Sequence, residues 1–190
     1  MAINYEVFEA AGALQYIDEE TRTWTTEGFE AAMAAIKTAI DNGTVTVATP
    51  GIVYCGAQGG DQGTRALVNN LYSDYYVTED GTSYNANSAN NVKALTLLQN
   101  MVNAGSLSAN ASYAAADELQ AFANQTCAVS FCWNFSNYSQ YADKTQFTPF
   151  AMAFPSDDGT PELEMAGPYG FGIFDNKDQA KIDAAKKFID

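Results

Sequence analysis

The residues that most constrain the fold of this chain are 128–138, which read AVSFCWNFSNY. Small, β-branched and aromatic side chains in one run predict a buried strand that stops at Trp133. Ser136 offers an N-cap for a short helix after that strand. Trp133 is therefore predicted to lie at the carboxyl end of a strand, which is the edge where small ligands bind in open α/β sheets.

The side chains around this predicted strand end suit a sugar. Trp133 stands beside the amide of Asn134 and two further rings, Phe135 and Tyr138. An indole can stack on the apolar face of a sugar ring while the amide hydrogen-bonds the rim of that ring. The alternative is that Trp133 only fills the core, and the sequence leaves both open. We predict Trp133 and Asn134 as ligand contacts.

The charge of the chain argues against two classes of partner. Its 190 residues include 23 acidic and 9 basic side chains, for a net charge of −14. The basic residues are scattered, so no basic face is expected to bind nucleic acid or an anionic membrane surface. No apolar run approaches the ~20 residues of a membrane span, and no signal-peptide pattern opens the sequence. The 47% hydrophobic content is enough for one substantial domain, or one domain and part of a second.

The chain contains no histidine, which removes the Ser-His and Cys-His nucleophile pairs and the usual zinc ligands. No catalytic residue, metal or cofactor is therefore predicted. Of the three cysteines, Cys127 and Cys132 would lie about 16 Å apart on the predicted strand, too far for a disulfide. We expect these two and Cys55 to be buried, inert thiols.

A polar, glycine-rich segment, residues 54–65, follows Pro50 and reads YCGAQGGDQGTR. Its glycines let the backbone approach a ligand closely, and its polar side chains supply donors and acceptors. The lysine of a phosphate-binding loop is missing, and Asp61 would repel a phosphate. We predict a loop that binds a neutral polyol, with contacts from Gln58, Gly60 and Asp61. The alternative is an ordinary surface loop.

The remaining patterns alternate between helix and strand. Strands are predicted over 44–49, 148–154 and 169–174. A helix capped by Thr25 carries one apolar stripe, formed by Phe29, Met33, Ile36 and Ile40. A second helix, capped by Ser88 and ended by Gly105, is predicted to turn four apolar side chains inward: Val92, Leu95, Leu98 and Val102.

Several short pieces of the sequence, taken in order, resemble one protein family. They are similar to the family 1 extracellular solute-binding proteins, the maltose-binding-protein-like sugar receptors of ABC importers. The similar pieces are residues 4–12, 23–29, 84–88, 102–105, 121–129, 154–155, 167–173 and 176–177. Two departures stand out: Gln125 and Thr126 replace the family's usual Gly-Lys, and Pro168 replaces a glycine, which removes one backbone donor.

The resemblance implies an α/β fold, a periplasmic-binding-protein-like type II lobe with a mixed sheet flanked by helices. Residues 1–166 would form the second lobe of a two-lobe protein, and residues 167–190 a strand and helix that return to a first lobe outside this chain. It also implies roles for the predicted site. Trp133 would stack on sugar, the loop with Gln58, Gly60 and Asp61 would face the interlobe cleft, and Gly167 and Tyr169 would lie in a hinge segment that often touches ligand.

The function that the resemblance implies is that of an extracytoplasmic carbohydrate-binding component of a bacterial ABC transporter, not an enzyme. It would deliver a sugar to the permease and would reach the membrane only through a lipid anchor outside this chain. Two alternatives stay open. Arg65 could pair with the carboxylate of an amino acid or peptide. A glycan-active enzyme would need two of Asp61, Asp157 and Asp158 as paired carboxylates, and nothing in the sequence fixes their separation.

Overall fold

Helices alternate with short strands in the part of the chain that the computed structural model describes, which is residues 1–56, 61–78, 80–161, 173, 175 and 177–189. In chain order the elements are β1 (Ala2–Asn4), α1 (Tyr5–Ala10), α2 (Thr26–Asp41), β2 (Ile52–Tyr54), α3 (Gln62–Leu71), α4 (Ala89–Asn103), β3 (Ser108–Asn110), α5 (Ala115–Ala123), β4 (Val129–Ser130), α6 (Phe135–Gln140), β5 (Pro149–Ala151) and α7 (Gln179–Ile189). The predicted α/β class is confirmed. No helix within these ranges is both long enough and apolar enough to span a membrane.

The strands form two small sheets with different pairing. β1 lies between β4 and β5 and is antiparallel to both, while β2 and β3 pair in parallel. Hydrogen bonds from the segment before β2 connect the two sheets: Thr49 forms a parallel bridge with Cys127, and the N–H of Ala128 donates to the carbonyl of Pro50 at 3.0 Å. The pairing is therefore mixed, as predicted.

The direction of these pairs decides where the chain leaves the sheets. β2 runs parallel to β3, and the segment that leads into β2 runs parallel to the segment that leads into β4. The carboxyl ends of all three strands, at Tyr54, Asn110 and Ser130, therefore point the same way. We call this side of the molecule the carboxyl edge.

Helix α2 supplies the centre of the main core. The Thr25 hydroxyl accepts a hydrogen bond from the N–H of Gly28 at 3.0 Å, as expected of an N-cap. Phe29 and Met33 are fully buried, and the Phe29 ring packs edge-on against Phe131, with the ring centroids 6.2 Å apart. The predicted stripe is confirmed, and it holds α2 against the segment that leaves β4.

The strand predicted over residues 44–49 is wrong. Val45 and Val47 are buried at alternate positions, which is why the pattern resembles a strand. However, the N–H groups of Ala48 and Thr49 both donate to one carbonyl, that of Thr126, at 2.9 and 3.2 Å. Two donors on one acceptor make a bend rather than a ladder, and the strand begins only after Pro50, as β2.

The inward face of α4 also differs from the prediction. The Ser88 cap is confirmed, with its hydroxyl oxygen 3.1 Å from the N–H of Asn91. Val92 and Leu95 are 51% and 50% exposed. The buried positions are instead Asn91, Ala94, Leu98 and Met101. The Asn91 amide donates to two loop carbonyls at 3.0 Å each, so the helix is rotated to bring this polar side chain inside.

The proposed return of the chain to another lobe is only partly described. The strand predicted over 169–174 and the division at residue 167 lie outside the described residues and stay predictions. The helix predicted within residues 167–190 is present as α7, and none of its described side chains is buried.

Candidate functional site

Trp133 lies at the carboxyl edge, three residues after β4 ends at Ser130. Its indole is only 4% exposed. The ring packs edge-on against Phe122, with centroids 5.1 Å apart, and also contacts Tyr138 and Tyr141 at 5.6 and 5.5 Å. In this conformation the indole belongs to a core cluster between α5 and α6. Its contact with a sugar stays a prediction.

One feature of Trp133 is unusual for a core residue. Among the described residues its buried Nε1–H makes no hydrogen bond of regular geometry, whereas the N–H of buried Trp24 donates to the carbonyl of Ala153 at 2.9 Å. The Trp133 indole does lie close enough to the Tyr138 hydroxyl to influence its proton. Burial raises the pKa of Tyr138, and Arg22 and the indole N–H partly offset that rise.

Helix α6 carries the exposed part of this aromatic group. Phe135, in its first turn, is 92% exposed, and Tyr138 is 36% exposed. The rings of Trp133, Tyr138 and Phe135 thus pass from buried to exposed across the carboxyl edge. We call these three rings the aromatic platform.

Asn134 has a structural role that corrects one prediction. Asn134, not Ser136, is the N-cap of α6, because its side-chain oxygen accepts from the N–H of Ser136 at 3.0 Å. In a second hydrogen bond, the side-chain oxygen of Asn137 accepts from the N–H of Asn134 at 2.8 Å. The Asn134 side chain is therefore fixed at the start of α6. Its oxygen is used by the cap hydrogen bond, and Asn134 as a whole is exposed to solvent.

Asp61 stands immediately before α3. Its carboxylate makes no cap bond to the helix and instead meets the Arg65 guanidinium at 3.3 Å. Both side chains are more than a third exposed, so this pair contributes little to stability. The helix begins at Gln62, so residues 62–65, which the sequence placed in the glycine-rich loop, form its first turn.

Two of the predicted site elements meet through Gly63. A Cβ atom added at Gly63 would lie 2.5 Å from the Tyr54 hydroxyl and 2.7 Å from the carbonyl oxygen of Phe131. The Gly63 N–H also donates to the Tyr54 hydroxyl at 3.2 Å. The first turn of α3, which follows Asp61, therefore packs directly on the chain that leads to Trp133. Gln58, Gly60, Gly167 and Tyr169 lie outside the described residues, so their place at this edge stays a prediction.

Glu118, a fully buried carboxylate behind the carboxyl edge, is not among the residues predicted from the sequence. Its two oxygens accept from the Ser130 hydroxyl at 2.7 Å and from the N–H of Phe131 at 2.6 Å. Burial raises the pKa of Glu118 to about 7, although these hydrogen bonds oppose the rise. The helical spacing of Glu118, Ala121 and Phe122 was the available signal, since it places all three on one face of α5.

The cysteines differ from the expectation that all three are buried. Cys127 is buried, and burial raises the pKa of its thiol well above the ordinary value. Cys132 is half-buried and Cys55 is exposed. Cys55 follows β2 directly at the carboxyl edge, where the chain leaves the core, so its thiol is open to solvent.

Two of the carboxylates that the enzyme alternative invokes accept hydrogen bonds in a turn. Asp158 accepts from the N–H of Thr160 at 2.8 Å, and Asp157 accepts from the Ser73 hydroxyl at 3.1 Å, in a turn after β5. Within the described ranges, no three cysteine or acidic side chains gather closely enough to hold a metal ion.

Comparison with known proteins gives one likeness to report. No protein-family profile and no curated sequence matches this chain. A solved structure that matches is that of the GacH receptor of Streptomyces glaucescens, described in the unliganded form and in complex with acarbose and an acarbose homolog. The identity is 14%, the TM-score is 0.49, and the match covers 83% of this chain and 37% of that one. This chain thus spans little more than a third of that protein, and a likeness this weak assigns neither a family nor a function.

Proposed function

We propose that this chain is the second lobe of a carbohydrate-binding protein of a bacterial ABC importer. The two lobes close around a neutral sugar or oligosaccharide outside the cytoplasm and deliver it to the membrane permease. The protein attaches to the membrane only through a lipid anchor outside this chain. The observation that carries the proposal is the aromatic platform at the carboxyl edge, together with the ordered resemblance of the sequence to sugar receptors.

The platform supports a sugar because it combines apolar ring surface with polar groups of no net charge. Phe135 offers a ring that is 92% exposed, and Tyr138 adds a partly exposed ring with a hydroxyl. Trp133 lies beneath Tyr138 and fixes its position through ring contact at 5.6 Å. Ring faces of this kind stack on the C–H face of a pyranose.

The polar groups nearby suit hydroxyls better than charged ligands. The Asn134 oxygen is occupied by the α6 cap, so its amide nitrogen is the group that donates to the ligand. Asp61 accepts hydrogen bonds from ligand hydroxyls, and its pairing with Arg65 leaves that guanidinium less available for a ligand carboxylate. In our proposal Gln58, Gly60, Gly167 and Tyr169 complete the polar rim from the loop after β2 and from the hinge segment.

The proposal is tested by a thermal-shift screen of the full-length protein against neutral mono- and oligosaccharides, with amino acids and small anions for comparison. A ligand at 100 times its dissociation constant adds about 2.7 kcal/mol to the free energy of unfolding, which moves the midpoint measurably. Shifts confined to one group of sugars support the proposal and name its ligand class. Shifts with amino acids alone, or with no compound in the screen, refute it.

The role of the platform is tested with two exposed phenylalanines. Phe135→Ala removes the most exposed ring of the platform, while Phe188→Ala removes a ring that is 84% exposed and belongs to a different helix, α7. Neither ring is buried, so both variants keep the fold. We expect Phe135→Ala to weaken the affinity for the sugar about 10-fold and Phe188→Ala to leave it unchanged. Equal affinities for the two variants would remove the platform from the binding site.

A further inference from the structure

Arg22 lies at the carboxyl edge, although it is far in sequence from the aromatic platform. Its Nη1 lies 3.5 Å from the carbonyl oxygen of Ala151, the last residue of β5, and its own carbonyl accepts from the N–H of Ala153 at 2.9 Å. β4 and β5 are both antiparallel to β1, so they end on the same side of the sheet. Ser130 and Ala151 both pair with Ala2, which places the two strand ends at the same level, about 10 Å apart.

An aromatic ring, rather than an acidic side chain, orients the Arg22 guanidinium. The guanidinium carbon lies 4.4 Å from the centroid of the Phe150 ring, which is half-buried. Arg22 itself is exposed, and it forms no salt bridge with any residue that the structure describes. The N–H donors of a guanidinium lie in its plane, so a ring on one face leaves them available for hydrogen bonds. The structure thus presents a planar set of donors at the carboxyl edge.

The backbone at Arg22 is held in an uncommon conformation. Its φ is +59°, in the left-handed region that residues with a Cβ atom rarely adopt. Asp18 and Thr23 form a bridge around it, and the indole of Trp24 donates to the carbonyl of Ala153 at 2.9 Å. These contacts fix Arg22 against the chain that continues from β5. A side chain on a backbone fixed in advance loses less freedom when it binds a ligand.

The charge of Arg22 acts on the aromatic platform. Burial raises the pKa of Tyr138, and the Arg22 charge partly offsets that rise, so the guanidinium lies near the Tyr138 hydroxyl. Tyr138 in turn contacts Trp133, with ring centroids 5.6 Å apart. The guanidinium and the platform therefore border the same stretch of the carboxyl edge. The distance of about 10 Å between the two strand ends is greater than the width of one pyranose ring.

We propose that Arg22 is a second contact point for the ligand, and that its guanidinium donates to two neighbouring hydroxyl oxygens of a sugar unit next to the one on the aromatic platform. The site therefore prefers an oligosaccharide to its monosaccharide unit. This inference rests on the proposed function, which allows both ligand sizes. Two parallel N–H groups match two oxygens on adjacent atoms. The net charge of −14 repels anions, so hydroxyls rather than a carboxylate are the acceptors.

The test compares ligands of different length. For a sugar that shifts the midpoint in the thermal screen, calorimetry measures the affinity for the monosaccharide and for its disaccharide. The wild type should bind the disaccharide about 10-fold more tightly, as expected for hydrogen bonds from a charged donor. Arg22→Ala should lose this advantage and keep the affinity for the monosaccharide. Arg22→Lys should restore little of it, because an ammonium group lacks the planar fork of donors.

A matched control is Lys37→Ala, which removes the same charge at the opposite end of the strands. A Cβ atom on Gly105, which lies shortly before β3 begins, would be 3.0 Å from the Cε of Lys37. We expect Lys37→Ala to bind both sugars as the wild type does. If it weakens disaccharide binding as much as Arg22→Ala, the net charge and not a local contact is responsible, and the inference is wrong.

A second measurement needs no folded variant of Arg22. The chain has two arginines, Arg22 and Arg65, so their Nε–H signals in ¹H–¹⁵N spectra can be assigned with Arg65→Lys. The Arg22 signal should shift when the disaccharide is added and stay in place with the monosaccharide. An unmoved signal at saturating disaccharide, or equal disaccharide affinity in Arg22→Ala and the wild type, overturns the inference while the proposed function stands. If no saccharide binds the wild type, the proposed function fails and the inference fails with it.

Discussion

The burial of Glu118 should make the stability of this protein depend on pH in an unusual direction. Its pKa is about 7 in the folded chain and 4.5 when unperturbed. Between these values the folded state holds a proton that the unfolded state has released, so the free energy of unfolding falls as the pH rises. The stabilisation is fully present below pH 4.5 and is lost by the time the pH has passed 7. Glu118→Gln cannot titrate, so it should not show this loss.

The size of the effect follows from the two pKa values. One pKa unit corresponds to about 1.36 kcal/mol. For a shift from 4.5 to about 7, the wild type should lose about 2–3 kcal/mol relative to Glu118→Gln between pH 5 and pH 8. The amide in the variant changes the hydrogen bonds to Ser130 and Phe131 by an amount that does not vary with pH. Only the change with pH, and not the absolute difference in stability, measures the buried charge.

The assay is urea unfolding of both proteins at several pH values from 5 to 8, followed by tryptophan fluorescence. Other carboxylates, including those such as Asp18 and Asp80 whose pKa values hydrogen bonds lower, are present in both proteins and cancel in the comparison. Glu6→Gln serves as the control, and its difference from the wild type should stay constant over this range. A constant difference for Glu118→Gln as well would refute the reasoning, because Glu118 would then have the same pKa in both states.

Three further predictions follow from close contacts and exposure. Gly63→Ala places a methyl group within 3 Å of fixed atoms, so it should lower the free energy of unfolding, measured in urea, by about 1–3 kcal/mol. Most substitutions at exposed positions change this free energy by less than about 0.5 kcal/mol. Trp24→Phe should be more destabilising than Trp133→Phe by about 1 kcal/mol, because Trp24 loses a hydrogen bond of regular geometry to the carbonyl of Ala153; equal losses in thermal unfolding would contradict this. In the folded protein a thiol reagent should modify Cys55 quickly and Cys127 only after denaturation, as peptide mass mapping can show; early labelling of Cys127 would contradict its burial.

The parts of the fold that the sequence predicts correctly depend on short-range chemistry. Thr25 and Ser88 cap α2 and α4 because a hydroxyl can reach an N–H three residues ahead wherever the helix is placed. Gly105, at φ +74°, lies just after α4 because it adopts the left-handed backbone that most residues avoid. These features need no knowledge of the rest of the chain.

The features that the sequence predicts wrongly depend on partners from distant segments. Residues 44–49 have the alternation of a strand, but among the described residues only Thr49 forms a bridge, with Cys127, and a single bridge makes no ladder. Val92 and Leu95 have the spacing of an inward face. However, the Asn91 amide donates to two loop carbonyls on the inner side, so α4 is rotated by about one residue from the predicted orientation. Pattern alone cannot supply such partners, since hydrophobic spacing says which residues share a face and not what that face meets.

The candidate site likewise has features that the sequence predicts and features that depend on distant segments of the chain. The sequence by itself determined that a tryptophan with neighbouring rings and an amide follows a strand of an α/β fold, in a strongly acidic chain without histidine. Only the tertiary structure decided that Trp133 is covered, that Asn134 caps α6, and that Glu118 is buried behind the carboxyl edge. The physical reason is that burial and hydrogen-bond partners are properties of packed elements. A glutamate on a helix becomes a buried, titrating group only when a strand end from another part of the chain supplies its donors.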